Sequence, residues 1–82
     1  MSATITTEQV RAVVYDALAE IGPDRDAITD AATWEELDVD SLDLAELSQV
    51  VEEQFAVRLK GDDVAQIKTV GEAIDLIVTR AG

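Results

Sequence analysis

Apolar residues recur with a helical period in three stretches of this chain, and polar residues fill the faces between them. In the first stretch Val10, Val13, Val14, Ala17, Leu18 and Ile21 fall at i, i+3, i+4, i+7, i+8 and i+11, one side of a helix. That helix is predicted from about Thr7 to Ile21. Thr6 and Gln9 have the spacing of a capping box, Ile5 is placed to staple onto Val10, and Gly22 with Pro23 ends the run. The second stretch, from about Ser41 to Phe55, aligns Leu44, Leu47, Ser48, Val51 and Phe55 on one face. Asp40 is its N-cap, and Asp43 adds negative charge to its first turn. The third opens on another capping box, Thr69 with Glu72, and carries Val70, Ala73, Ile74, Ile77 and Val78 to about Arg80.

The connections are unequal. The first, from Gly22 to about Asp40, begins polar through Asp24, Arg25 and Asp26. Ile28, Trp34 and Leu37 then supply apolar anchors, which predicts a loop packed on the core. After Val57–Leu59, Gly61 and Asp62 are expected to break the chain, leaving Asp63 to Ile67 for a helix of about one turn. No useful alternating strand pattern appears. The expected fold is all-α, a small four-helix bundle of three longer helices and one short one with a long first loop. Residues 1–82 are read as a single domain.

Composition narrows the function. Only Tyr15, Trp34 and Phe55 are aromatic, so the small core must be aliphatic. The chain has no Cys and no His. Disulfides, thiolate metal sites and a cysteine nucleophile are excluded, and the usual general base is missing. The net charge of −12 argues against nucleic acid and against anionic membranes, and favours partners with basic patches. No apolar run approaches the ~20 residues of a membrane span. Met1 to Thr7 lacks the basic and apolar regions of a leader, so a cytoplasmic location is expected.

The segment with chemical content is Leu37-Asp38-Val39-Asp40-Ser41-Leu42-Asp43. It puts a serine in the first turn of a helix, directly after the capping aspartate and behind an irregular loop, with its hydroxyl expected to face solvent. Unpaired N–H groups and the positive end of the helix dipole tolerate a phosphodiester there. The same residues read equally as a cap and nothing more.

Asp40-Ser41-Leu42 matches the Asp-Ser-Leu signature of acyl carrier proteins, at the same place: mid-chain, after a long loop, opening the second helix. The resemblance continues through Asp43, Glu46, Leu47, Glu52, Glu53 and Phe55, and Lys68-Thr69-Val70-Gly71 is similar to the family's opening of its last helix. It covers nearly the whole chain in order and spacing. It implies that Ser41 receives 4′-phosphopantetheine from coenzyme A through a phosphopantetheinyl transferase. It implies a carrier and not an enzyme, with acyl groups held as thioesters on the arm. It implies docking of ketosynthase, acyltransferase and tailoring enzymes on the second helix. Asp40, Leu42, Asp43, Glu46, Gln49, Glu52 and Glu53 are the docking candidates. The one-sided charge agrees with this, since Glu35 to Glu53 hold eight acids and no Lys or Arg. Leu44, Leu47, Ser48, Val51, Phe55, Ile67 and Ile74 are candidates for the walls of an acyl pocket and equally for the core. A monomer working with separate enzymes is expected.

Two places depart from the family pattern. Thr33 stands where the family commonly has Phe, and Trp34 is read as the replacement anchor. Ser48 and Gln49 stand where fatty-acid carriers usually have apolar residues, which tips the reading toward polyketide over fatty-acid biosynthesis. Ser48 either lines a more polar pocket or bonds back to the Leu44 carbonyl. Rival readings are weaker. A calcium loop starting at Asp38 fails at Leu42, Asp43 and Gln49. A serine hydrolase lacks a base. An acidic helical interaction module without a prosthetic group differs from a carrier only in the modification of Ser41.

Overall fold

In the computed structural model, which describes residues 5–81, each long helix begins at the cap its sequence supplies. The elements are α1 (Thr7–Ile21), α2 (Ser41–Phe55), α3 (Gly61–Gln66) and α4 (Val70–Ala81), with a 3-10 turn at Arg25–Ala27. This is the expected bundle of three longer helices and one short one. Residues 1–4 and 82 lie outside the described residues, and with them most of the segment read for a leader.

At α1 the Thr6 hydroxyl accepts the Gln9 N–H at 3.2 Å, and the Gln9 side chain accepts the Thr6 N–H at 3.0 Å. At α2 two aspartates make the box: Asp40 accepts the Asp43 N–H at 3.0 Å and Asp43 accepts the Asp40 N–H at 3.4 Å. At α4 only half of the expected box forms. The Thr69 hydroxyl accepts the Glu72 N–H at 3.2 Å, but the Glu72 carboxylate takes the Thr69 hydroxyl at 3.3 Å and not its N–H. Thr69 is held opposite Thr33 in an isolated antiparallel bridge, so the first loop sets the geometry of this cap.

The short helix starts at Gly61, two residues before the expected point. Gly61 has no positive φ, and at a first helical turn it ends nothing. The Asp63 carboxylate accepts the Lys60 N–H at 3.0 Å and closes that turn.

The core is aliphatic. Val10, Val14 and Leu18 of α1, Val51 of α2, and Val70, Ile74 and Ile77 of α4 are fully buried. α1 packs against both α2 and α4. Among the described residues no polar or charged residue is buried. Each buried branched side chain contributes about 1.5–3 kcal/mol, so the interior is held by shape and area.

The first loop is packed as predicted: Ile28, Trp34 and Leu37 are buried, joined by Ala32 and Val39. Its second half is a capped single turn. Thr33 and Glu36 exchange side chain-to-backbone bonds at 2.9 and 3.1 Å. At the other end Asp38 turns left-handed at φ 58°, its N–H reaching the Glu35 carbonyl (3.1 Å) and that of Val39 the Trp34 carbonyl (2.9 Å). That pair of bonds is a Schellman motif, with aspartate where glycine is usual.

Asp30 fastens the loop in two directions. Its carboxylate accepts from Arg11 at 2.8 and 3.2 Å and from the Tyr15 hydroxyl at 2.6 Å. Its carbonyl accepts the Gly71 N–H at 2.8 Å, beside a Val70 N–H to Ala32 carbonyl bond of 3.0 Å. A Cβ on Gly71 would lie 2.9 Å from the Asp30 oxygen, so only glycine lets α4 approach this closely. The Trp34 indole N–H donates to the Ile67 carbonyl at 2.9 Å and pins the loop to the α3–α4 junction. Among the described residues no helix is long and apolar enough to cross a membrane.

Candidate functional site

The packed loop delivers the chain to Asp40, and the aspartate box fixes the first turn of α2. Ser41 is the first residue of that helix and is exposed. The Asp43 N–H is taken by the Asp40 side chain and the Leu44 N–H by the Asp40 carbonyl. The N–H groups of Ser41 and Leu42 have no hydrogen-bond acceptor among the described residues, which leaves a dipole end and two donors beside the Ser41 hydroxyl. Asp40 and Asp43 spend carboxylate oxygens on backbone N–H groups, so neither is arranged as a base toward Ser41. Among the described residues no three His, Cys, Asp or Glu side chains converge as a metal site.

α2 presents three faces. Leu47 and Val51 point into the core. Leu42, Glu46, Gln49 and Glu53 fall at i, i+4, i+7 and i+11 and are all exposed. Leu42 is 77% exposed, the large apolar side chain most open to solvent among the described residues. Glu46, Gln49 and Glu53 border a groove of about 340 Å³ shared with Ala17, Glu20 and Ile21 of α1. Asp43 is half-buried, in a recess of about 380 Å³ with Gly22, Leu37 and Asp38. The third face looks toward α3 and carries Glu52, which pairs with Arg58 at 3.3 Å. The docking candidates are therefore not all on one face.

Between α2 and α3 lies a cleft of about 650 Å³ that reaches Ser41. Leu44, Ala45, Ser48, Gln49 and Glu52 form one wall; Leu59, Lys60, Gly61, Val64 and Ala65 form the other. Of the seven residues considered for an acyl pocket, Leu44 and Ser48 line this cleft. Leu47, Val51, Ile67 and Ile74 are in the packed interior, and Phe55 is half-buried against it. Sequence reasoning missed Leu59, Val64 and Ala65. Their signal was the short helix itself, which becomes readable as a wall once it starts at Gly61. The Ser48 hydroxyl donates to the Leu44 carbonyl at 2.9 Å, the backward bond that one reading expected, and the residue also lines the cleft.

Two carboxylates are perturbed. The Arg11 guanidinium, with the Tyr15 hydroxyl, holds Asp30 below the usual carboxylate range. Arg80, with the Lys60 N–H, does the same for Asp63. Burial and the Asp30 bond push Tyr15 up, so it stays a neutral donor. These groups fasten the loop and α3, and none touches Ser41.

Comparison with known proteins agrees with the geometry. Residues 8–77 match the family model described as a phosphopantetheine attachment site. The acyl carrier protein of Chlamydia trachomatis serovar D is 40% identical over 73 residues, 89% of this chain and 92% of that protein. The acyl carrier protein of Solidesulfovibrio magneticus is 37% identical over 79 residues, 92% and 94% of the two chains. That of Acidothermus cellulolyticus is 33% identical over 75 residues, 89% of each. With a phosphopantetheine attachment domain over most of its length and acyl carrier proteins among its relatives at 33–40% identity, this chain belongs to the acyl carrier protein family.

Proposed function

We propose that Ser41 is the attachment point of 4′-phosphopantetheine and that the chain, as a monomeric single carrier domain, carries acyl intermediates between separate enzymes. The observation that carries this is the placement of an exposed serine hydroxyl at the first turn of α2, beside two N–H donors and at the edge of a cleft. The residues fit the group. Ser41 would hold the phosphodiester, the N–H groups of Ser41 and Leu42 favour its negative charge, and no side chain bonds the hydroxyl among the described residues. The group supplies a thiol for thioester formation, which a chain without cysteine lacks. Leu44 and Ala45, with Val64 and Ala65 opposite, offer an acyl chain an apolar shelter from water.

Asp40, Leu42, Asp43, Glu46, Gln49, Glu52 and Glu53 are proposed as the docking set for basic patches of the transferase, ketosynthase, acyltransferase and tailoring enzymes. Leu42, Glu46, Gln49 and Glu53 form its continuous outward stripe, with Asp40 at the head. Such charge steers encounter more than it tightens the complex. Ser48 and Gln49 on the cleft wall support an oxygenated, polyketide-type cargo. The Ser48 proton is committed to the Leu44 carbonyl, so the hydroxyl can serve a cargo as an acceptor and not as a donor. Replacing Ser48 by Val is expected to weaken protection of a hydroxylated acyl thioester against hydroxylamine and leave a plain one unaffected. Equal protection of both cargoes in both proteins would remove the polyketide reading.

The test of the function is intact mass after incubation with coenzyme A and a broad-specificity phosphopantetheinyl transferase. One phosphopantetheinyl group is expected on the protein and none on Ser41→Ala. A folded protein that gains nothing would instead be an acidic helical interaction module.

A further inference from the structure

We infer that Arg80 is a positioning residue for the cleft: from the last turn of α4 it fixes the start of α3, and so sets how closely the α3 wall covers a cargo held on Ser41. This role rests on the carrier function proposed above and adds to it the residue that keeps the cargo covered.

Packing does little to hold α3. At six residues it is too short to be stable alone, and none of its residues is buried. The extensive helix contacts of the bundle are α1 with α2 and α1 with α4, and α3 shares in neither. Open space lies on both sides of it. In front is the cleft of about 650 Å³, lined by Gly61, Val64 and Ala65. Behind it, against α4, is a groove of about 240 Å³ bordered by Asp63, Gln66, Glu72 and Leu76. A wall with a hollow behind it can retreat, and the cleft in front then widens.

Polar contacts at the two ends hold α3 instead. At its C-terminal end the Trp34 indole N–H donates to the Ile67 carbonyl. At its start the fastener is Arg80, whose two terminal nitrogens donate to the two oxygens of Asp63 at 2.7 and 2.6 Å, a fork-to-fork pair. One of those nitrogens also donates to the Arg58 carbonyl at 3.3 Å, in the segment that leads into α3. The same carboxylate accepts the Lys60 N–H at 3.0 Å, so one guanidinium ties the approach to α3, its first turn and the end of α4 together. The Asp63 side chain is 16% exposed, the most sheltered carboxylate among the four ion pairs, so water competes for it least. A lysine in place of Arg80 would bring the charge without the fork.

The test loads the full chain from 3-hydroxyoctanoyl-coenzyme A with the transferase, confirms loading by mass, and times cleavage of the thioester by hydroxylamine beside that of the coenzyme A thioester itself. Arg80→Gln is expected to speed cleavage ~5-fold, as loss of a bidentate pair that limits local opening does. Arg80→Lys is expected to fall between the two. Asp63→Asn, which keeps an oxygen for the Lys60 N–H, is expected to match Arg80→Gln, and the double variant to add nothing to either. Ile77→Val, a mild core truncation in the same helix, is expected to lower the melting temperature at least as much as Arg80→Gln and to leave cleavage unchanged. An unchanged rate in Arg80→Gln, or a rise in Ile77→Val that equals it, would overturn the inference. Cleavage of the unsubstituted protein as fast as the coenzyme A thioester, or failure to load at all, would instead remove the shelter or the carrier reading on which it rests.

Discussion

At the scale of single residues, two positions hold the first loop against the helices. Gly71→Ala puts a methyl group 2.9 Å from a backbone oxygen that cannot swing aside. We expect it to destabilise the fold by about 1–3 kcal/mol, as overpacking does, measured by chemical denaturation. Asp30 acts through its charge. Its folded pKa is depressed, so its contribution is fully present above the ordinary aspartate value of ~3.9 and is lost as pH falls through the lower folded value. Asp30→Asn should therefore cost roughly 1 kcal/mol at pH 7, a modest figure for a half-exposed pair, and progressively less as pH falls through the depressed folded value. A cost that persists unchanged into acid would show that Asp30 works through its shape. Neither residue stood out in the sequence as a fastener. The partners of Asp30 lie 15 and 19 residues before it and 41 after it, and no local pattern connects them.

At the scale of elements, what was legible was whatever a short window of residues encodes. Thr6 with Gln9, and Asp40 before Ser41, placed the starts of α1 and α2; the apolar periods placed their buried faces. Ser41 was legible for the same reason, since a cap and a first turn are local. The capped turn of Thr33 to Val39 carries the same signature in Thr33 and Glu36, yet its end hides because a left-handed aspartate, Asp38, stands where glycine would have announced it. The start of α3 was misplaced because Gly61 reads as a breaker by type, while its position in a first turn makes it harmless. The cleft was only partly legible. Leu44 and Ser48 belong to a periodic face, but Leu59, Val64 and Ala65 join them only through the crossing of a six-residue helix.

At the scale of the whole molecule, charge opposes the compact state. Eighteen acids face six bases, and four of those bases are already spent on exposed or half-exposed pairs that stabilise little. Screening by salt weakens these pairs slightly and the general repulsion more. The melting temperature is therefore expected to rise as salt is added at pH 7; a flat or falling curve would mean that the pairs matter more than the net charge. The same imbalance bears on docking, because a surface already dense in acids gains from any basic partner that relieves it.

The indole of Trp34 is the only one in the chain, it is nearly buried, and its N–H is held by the carbonyl of Ile67, the residue that ends α3. The tryptophan emission of the protein consequently comes from one indole, bonded to the residue that closes the α3 wall of the cleft. Anything that shifts α3 disturbs that bond and the polarity around the ring, so emission wavelength becomes an optical gauge of the cleft. No label need be attached to follow a cargo as it enters or leaves.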